Sequence, residues 1–468
     1  MKLKYFNENI NRQHFDSDVT KPHDVKGNRT NLMANYEVKD GVGIIPEGTT
    51  ELAYEDWSGA FEDCQELTSV IIPNTVTNIG KNAFKGCSGL TSLVIPNSVT
   101  CIGEKAFQDC IGLTKIVLSD KLIEIKDSAF ANCTGLTHIV FPDSVEIIGA
   151  FAFTGCKNIT ELAIPKSVTR IHSTAFTDCS GIKKIKVAEG NAVYDSRNNC
   201  NAIIEITDNE LIRGCSSTVI PDSVKSIGSN AFAGCTGLLN IVIPNSVTMI
   251  RESAFAGCTD LTSIAIPETV IKIDNLAFMG CSSLSNIIVA EGNTVYDSRG
   301  NCNAIIITEK NELMTGCKST VIPDTVTCIG WDAFRDNTGI TEMPIPTSVT
   351  EIGNRVFSGC TGLTSLAIPA TVTKIIADSI CDGCTSLKTA NIPCDVDELF
   401  YAFRFCSALE TVTLPKVVKK MDKQAFRGCS SLKTIYVPAK RKDYYKKRLP
   451  ETLHSLIVEL PAEKKTKK

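Results

Sequence analysis

Apolar residues recur along this chain in a fixed rhythm. In "LTSLVIP", residues 90–96, Leu90, Leu93 and Ile95 are spaced by three and two, which predicts a short strand that buries every second residue at its end. Pro96 stops the strand because it has no N–H to give to a ladder. "SVTCIG" follows as a second extended piece with Val99 and Ile102 inward, and Gly103 permits a bend. "EKAFQDC" then reads as one helical turn that carries Phe107 into the core.

The phrase repeats. The Ala-Phe pair stands at Phe61, Phe84, Phe107, Phe130, Phe153 and Phe176, again at Phe232, Phe255 and Phe278, and then at Phe334. Val356-Phe357, Ser379-Ile380, Phe403 and Phe426 hold the later slots, giving 14 coils of about 23 residues. One such coil cannot bury its own apolar face, whereas stacked coils place each Ile, Val, Phe and Cys on its counterpart. The expected fold is a leucine-rich-repeat solenoid, β-rich with short helical turns, stacked into one elongated right-handed superhelix. At about 4.8 Å per parallel strand, 14 coils span on the order of 65–70 Å.

Two columns are polar. Ser or Thr stands two residues after Pro, at Thr75, Ser98, Ser144, Ser167, Ser223, Ser246 and Thr269, where a hydroxyl suits a local cap of its own turn. Cys stands three after Phe in nearly every coil, and Asn337 replaces it once, which marks a small buried slot that a thiol fills.

These residues, "IPNSVT.IG..AF..C.GLT.I.IP" from about Val42 to Pro438, resemble the BspA-like, Treponema pallidum-type leucine-rich repeats. The resemblance implies one continuous strand face. It further implies a bacterial or protist surface protein engaged in adhesion to host or neighbouring-cell proteins.

Residues 1–41 form a polar lead-in without the repeat, 42–438 the solenoid, and 439–468 a cap and tail. Near-identical insertions occupy 188–219 and 290–321, carrying "VYDSRNNCNAII" and "VYDSRGNCNAII". Each predicts a β-hairpin turning near Asp208-Asn209 or Lys310-Asn311, and the two are expected to project from one edge of the stack. Cys200 with Cys215, and Cys302 with Cys317, would lie roughly opposite across these hairpins. An oxidising compartment would allow them to bridge; otherwise they pack as free thiols. The turns lack the alternating acidic ligands of a calcium loop. At the far end a short helix near Lys440–Arg448 and a strand at Leu456–Leu460 are expected to close the open edge.

Composition excludes more than it assigns. The 468 residues are 43% hydrophobic and carry a net charge of −4, which gives no general attraction to nucleic acid or membrane. From Ala439 onward the local charge is +6, which suits a solvated tail. No segment is long and apolar enough to span a membrane, and "MKLKYFNENINRQHF" lacks the apolar core of a secretory signal. The missing signal and the reduced-thiol column favour the cytoplasm; the family resemblance favours the surface. "NRT" at Asn28 fits a glycosylation acceptor. None of the five histidines, His14, His23, His138, His172 and His454, has a Ser or Cys nucleophile placed with it in a catalytic pattern, and Cys381-Asp382-Gly383-Cys384 has no second ligand pair for zinc. No phosphate-binding or dinucleotide glycine motif is present, so no cofactor and no enzymatic activity are expected.

One outward residue sits between the inward pair of each first strand. Ile71, Val94, Val117, Val140 and Ala163 open the series, and Lys115, His138 and Glu161 flank it. The stripe suits either plain strand propensity or a binding face. The expected function is a non-enzymatic protein-interaction or adhesion module using the strand face and the insertions. A glycan-binding surface protein and an intracellular scaffold are the alternatives.

Overall fold

The structure is a computed structural model describing residues 36–52, 59–393 and 395–461. His14, His23, Asn28 and all but the last residues of the 1–41 lead-in fall outside the described residues, as does Trp57 of the first coil.

Each coil lays down three stretches of backbone that lie beside the same stretches of the next coil; the second-strand ladder is continuous from Glu51–Leu52 to Arg170–Ile171, whereas the outer strands pair in separate short sheets. The outer strand Ser92–Val94 pairs in parallel with Lys115–Val117, placing Leu93 beside Ile116 and Val94 beside Val117. The second strand is only two residues long: Cys101–Ile102 pairs with Glu124–Ile125, and the same ladder runs on through Ile148 to Ile171. Across the third stretch Phe107 N–H donates to Ala129 O at 2.7 Å, and Phe130 N–H to Ala152 O at 2.7 Å. The register therefore advances by 23 residues from one coil to the next. That register is why like residues form columns.

The third stretch is not the helical turn that "EKAFQDC" suggests. Lys105 and Asp109 both have positive φ, 58° and 61°, as do Ser128 with Asn132 and Asn230 with Gly234 in other coils. Two left-handed residues four apart prevent a right-handed helix, and three-residue turns result: Ala106 N–H to Gly103 O, Gln108 N–H to Lys105 O and Cys110 N–H to Phe107 O. The slot before Cys holds Gly, Asn or Asp in most coils because those residues tolerate this conformation best. Gly103 itself serves close approach rather than a bend. A Cβ there would stand 2.7 Å from the carbonyl carbon of Gly80 in the preceding coil.

The core is the sum of the columns. Phe84, Phe107, Phe130 and Phe153 are fully buried and stack face to face with centroids 5.1 to 5.2 Å apart and planes within 8°. The column's period matches the strand spacing, so the rings add an aromatic contact of about 0.5–1.5 kcal/mol each to their burial. The Ser/Thr column does not cap its own turn as expected. Ser144 donates to Leu122 O at 2.7 Å, Ser167 to Val145 O at 2.7 Å and Thr269 to Val247 O at 2.9 Å, all in the preceding coil.

The stack has about 18 coils rather than 14. The excess consists of the two coils that carry insertions and one at each end. Glu37–Lys39 pairs antiparallel with Val42–Ile44, which then pairs with Ser69–Ile71 and opens the outer sheet. At the other end Ile457–Glu459 adds a last parallel strand to Thr434–Val437. The short helix Lys442–Lys446 buries Tyr445, whose hydroxyl donates to Pro415 O at 2.6 Å.

The insertions do not project. Ala202–Glu205 pairs antiparallel with Glu210–Gly214, and the second of these joins the second-strand ladder at Ser226–Ile227. Both faces of this hairpin are buried: Ile203 packs with the core that precedes it and Ile204 with the core that follows. Ile305 and Ile306 repeat the arrangement. Each hairpin is thus a partition that divides the interior into successive cores. On the turn side the partition is bypassed, because Asp178 N–H donates directly to Ala233 O at 3.2 Å.

Candidate recognition face

The outer stretch of each coil turns one residue outward two positions before the proline or its substitute, on a strand at Ile71, Val94, Val117 and Ala163 and on backbone outside any strand at Val140 and Val242. Ile71 is 80% exposed, Val94 65%, Val140 72% and Val242 81%, and Val117 and Ala163 are exposed beside them. Their neighbours Val70, Leu93, Ile116, Ile139 and Leu162 are buried, so the strand alternates strictly between core and solvent. Lys115, His138 and Glu161 form a second exposed row one pleat away. Glu161 pairs with Lys184 at 2.8 Å, an exposed pair of small energetic weight, and His138 Nδ1 lies 3.2 Å from the Thr137 hydroxyl. The threonines bordering the face spend their hydroxyls on the ladder: Thr68 donates to Gly41 O and Thr114 to Thr91 O, both at 3.0 Å.

Four members of the stripe escape the 23-residue count. Ile44 pairs with Ile71 and lengthens the apolar run at its start. Val219 and Val321 are 73% and 72% exposed and occupy the same outward position, although they fall inside the segments assigned to insertions. Val458, beside Tyr436, ends the series. The signal was present for three of them: "IIP" at 44–46, "VIP" at 219–221 and "VIP" at 321–323 all carry the strand ending of the template. Val458 has Leu460 where the template has proline, with Pro461 one residue late, so only the alternation marks it. The unbroken apolar run is Ile44, Ile71, Val94, Val117, Val140 and Ala163, and Lys186 ends it.

The cysteine column faces away from this surface and is chemically quiet. Cys110, Cys133 and Cys156 donate their S–H to the carbonyls of Phe84, Phe107 and Phe130 at 3.0 to 3.1 Å. The slot therefore holds a small buried side chain, and Asn337, 4% exposed, fills it once with its Oδ1 left without a hydrogen-bond partner among the described residues. Burial pushes the Cys110, Cys179 and Cys281 thiols up to about 12, far from the thiolate that nucleophilic or metal chemistry uses. Cys381 and Cys384 belong to the same interior: Cys384 donates to Phe357 O and Cys406 to Cys381 O. Among the described residues no group of three or more His, Cys, Asp or Glu side chains is placed to hold a metal, and no helix is long and apolar enough to cross a membrane.

The hairpin cysteines are free thiols. Cys200 packs with the core after its hairpin and Cys215 with the core before it; Cys302 and Cys317 are divided in the same way. Cys215 Sγ donates to Asn201 O at 3.5 Å and Cys317 Sγ to Asn303 O at 3.3 Å.

A family model for the BspA type leucine rich repeat region, in six copies, matches residues 57–203, 209–310, 311–433 and 398–449. Among solved structures, a leucine-rich repeat protein from Eubacterium ventriosum is 20% identical, with 84% of this chain and 92% of its own covered at a TM-score of 0.49. A leucine rich cell surface protein from Faecalibacterium prausnitzii is 25% identical, covering 88% and 96% at 0.47. The leucine-rich repeat protein of T. pallidum is 24% identical, covering 46% and 78% at 0.26. No curated protein matches the chain.

Proposed function

The chain belongs to the BspA-type leucine-rich-repeat family, and from that premise we propose that it is a non-enzymatic recognition module that binds a protein partner along its outer strand face. The observation that carries this reading is the run Ile44, Ile71, Val94, Val117, Val140 and Ala163: six consecutive coils each hold an exposed apolar side chain at the same outward position. Contiguous exposed apolar area of this kind marks contact surfaces. Strand propensity accounts for a β-branched residue at one such position but supplies no reason for the polar Lys186 and Asn391 at the equivalent positions of other coils. The flanking Lys115, His138 and Glu161 give a polar rim around an apolar centre, the layout of a protein interface. Adhesion to a neighbouring-cell surface protein is the use we assign to it.

The test is binding to a panel of purified extracellular-matrix proteins and membrane proteins of the native organism. It compares the unmodified chain with a variant carrying Val94→Lys, Val117→Lys and Val140→Lys. The reading expects a partner whose affinity falls at least about tenfold in the variant while circular dichroism and the thermal melt are unchanged. Equal binding by a folded variant removes the strand face from consideration.

A further inference from the structure

The two insertions are near copies, and where they differ a cleft opens beside the second. In the first, Glu210 folds over Gly228 and is neutralised: the Arg251 Nε donates to it at 2.6 Å and the Ser226 hydroxyl at 2.9 Å. Glu312 takes the same pose over Gly330 in the second. Here Cys328 stands at the place of Ser226, and Gly353 at the place of Arg251. No cation or hydroxyl partners Glu312 among the described residues. The side chain of Trp331, where the first copy has Ser229, lies over Gly353, within 2.3 Å of where a Cβ would stand. The space left by the missing arginine is a cleft of about 370 Å³. Trp331, Glu312, Glu351, Lys310, Thr327 and Thr350 border it.

We propose that this cleft binds a pyranose residue of a neutral oligosaccharide, with the sugar ring on the face of Trp331 and its hydroxyls donating to Glu312. Trp331 is 57% exposed, the one described tryptophan, and its indole N–H has no acceptor in the protein among the described residues. A pyranose with mostly equatorial hydroxyls has an apolar face that an indole ring covers and a polar edge that a carboxylate satisfies. An exposed aromatic ring beside an unpaired, half-buried carboxylate supplies both. The charge balance selects a neutral ligand over a cationic one: Glu351 is already paired with Lys374, and Lys310 lies on the rim with Glu312. The volume falls within the roughly 300–1,000 Å³ of small-ligand sites. Burial, then Glu312, then Glu351 push the Cys328 thiol up to about 12, which leaves it protonated as the floor of the cleft. The site lies on the second-strand side and is independent of the outer apolar stripe.

Calorimetric titration of the full chain with maltohexaose, cellohexaose and chitohexaose, with hexalysine as the cationic rival, tests the assignment. At least one saccharide is expected to bind saturably. Trp331→Ala abolishes that binding and Glu312→Gln weakens it about tenfold. Gly353→Arg, which restores the neutralising side chain of the first copy, closes the site. Circular dichroism of each variant reports the fold, and Glu312→Gln, nearly isosteric, decides the matter if Gly353→Arg does not fold. Absence of saccharide binding overturns the proposal, as does binding unchanged in a folded Glu312→Gln or Trp331→Ala variant. Binding of hexalysine in place of the sugars does so too.

Discussion

The Tyr194 hydroxyl accepts a hydrogen bond from the backbone N–H of Ile171 at 3.0 Å, and Tyr296 does the same for Ile273 at 2.9 Å. At Ile102, Ile125 and Ile148 the next second strand of the ladder pairs on that side. At the insertions the next strand is absent, and a buried side chain supplies the acceptor. Asn191 holds the tyrosine in place: its Oδ1 accepts from Val193 and Tyr194 N–H, and its Nδ2 donates to Pro165 O and Val168 O, all at 2.8 to 2.9 Å. Burial raises the Tyr194 hydroxyl above its ordinary value, so it stays neutral near pH 7.

Tyr194→Phe therefore leaves one buried N–H without a partner while filling nearly the same volume. The expected loss is about 1–3 kcal/mol. Because coils couple chiefly to their neighbours, the loss concentrates at the junction. Hydrogen exchange of the Ile171 amide is expected to accelerate strongly in Tyr194→Phe, with the Ile102 amide unaffected. Equal protection at Ile171 in variant and parent would show that the tyrosine is no more than a space filler.

Phe107 is sandwiched between Phe84 at 5.2 Å and Phe130 at 5.1 Å and is fully buried. Phe107→Ala opens a cavity that rigid neighbouring ladders cannot collapse, at a cost of about 3–5 kcal/mol. Amide protection is expected to fall in the coils of Phe84, Phe107 and Phe130 and to persist in those beyond the second insertion. Exchange followed by mass spectrometry distinguishes this from a uniform loss across the stack.

The columns were legible because each follows from one residue type at one spacing: Phe107, Cys110 and Val99 name their own neighbours 23 residues away. Their partners' backbone conformations were less legible. "EKAFQDC" has a helical composition, and only the positive φ at Lys105 and Asp109, two residues with no local sequence demand beyond the Asp, breaks the helix. The stack imposes that conformation through inter-coil bonds such as Asp109 N–H to Ala131 O at 2.8 Å. The insertions misled for a related reason. An antiparallel hairpin rich in Ile reads as an appendage, yet Ile203 and Ile204, adjacent in sequence and on opposite faces, are both fully buried. A strand buried on both faces is the signature of an internal partition. The apolar stripe was visible as a pattern. Glu312 and Trp331 were not, since their meaning rests on Gly353, three coils' geometry and a comparison with the first copy.

The thiol column makes stability depend on alkaline pH. In the folded chain burial raises Cys110, Cys179, Cys281 and Cys429 to about 12, against about 8.5 for an exposed thiol in the unfolded chain. The unfolded state thus loses these protons first. Stability from this source is fully present below about pH 8.5 and declines as pH rises toward the folded values. The urea midpoint is expected to fall steadily above that pH, and Cys110→Ala to have a shallower slope than the parent. A parallel slope in the variant would assign the decline to other groups. At neutral pH the same burial makes labelling of the column by an exposed-thiol reagent slow unless the stack is first unfolded.

Cys200 and Cys215 give the sharpest check on the partition. The hairpin registers Ala202 opposite Gly214, so the two cysteines flank neighbouring ends of one strand pair, yet they pack into the cores on either side of the sheet. A disulfide requires Cβ atoms about 3.5–4.5 Å apart with their vectors converging. Forming one would turn a side chain out of its core and open a cavity there. Under mildly oxidising conditions the folded chain is expected to keep Cys200, Cys215, Cys302 and Cys317 reduced, each separately alkylated after unfolding in a non-reducing peptide map. Recovery of a Cys200–Cys215 or Cys302–Cys317 cross-linked peptide from folded protein would place both thiols on one face. The hairpin would then be an ornament on the solenoid rather than a wall within it.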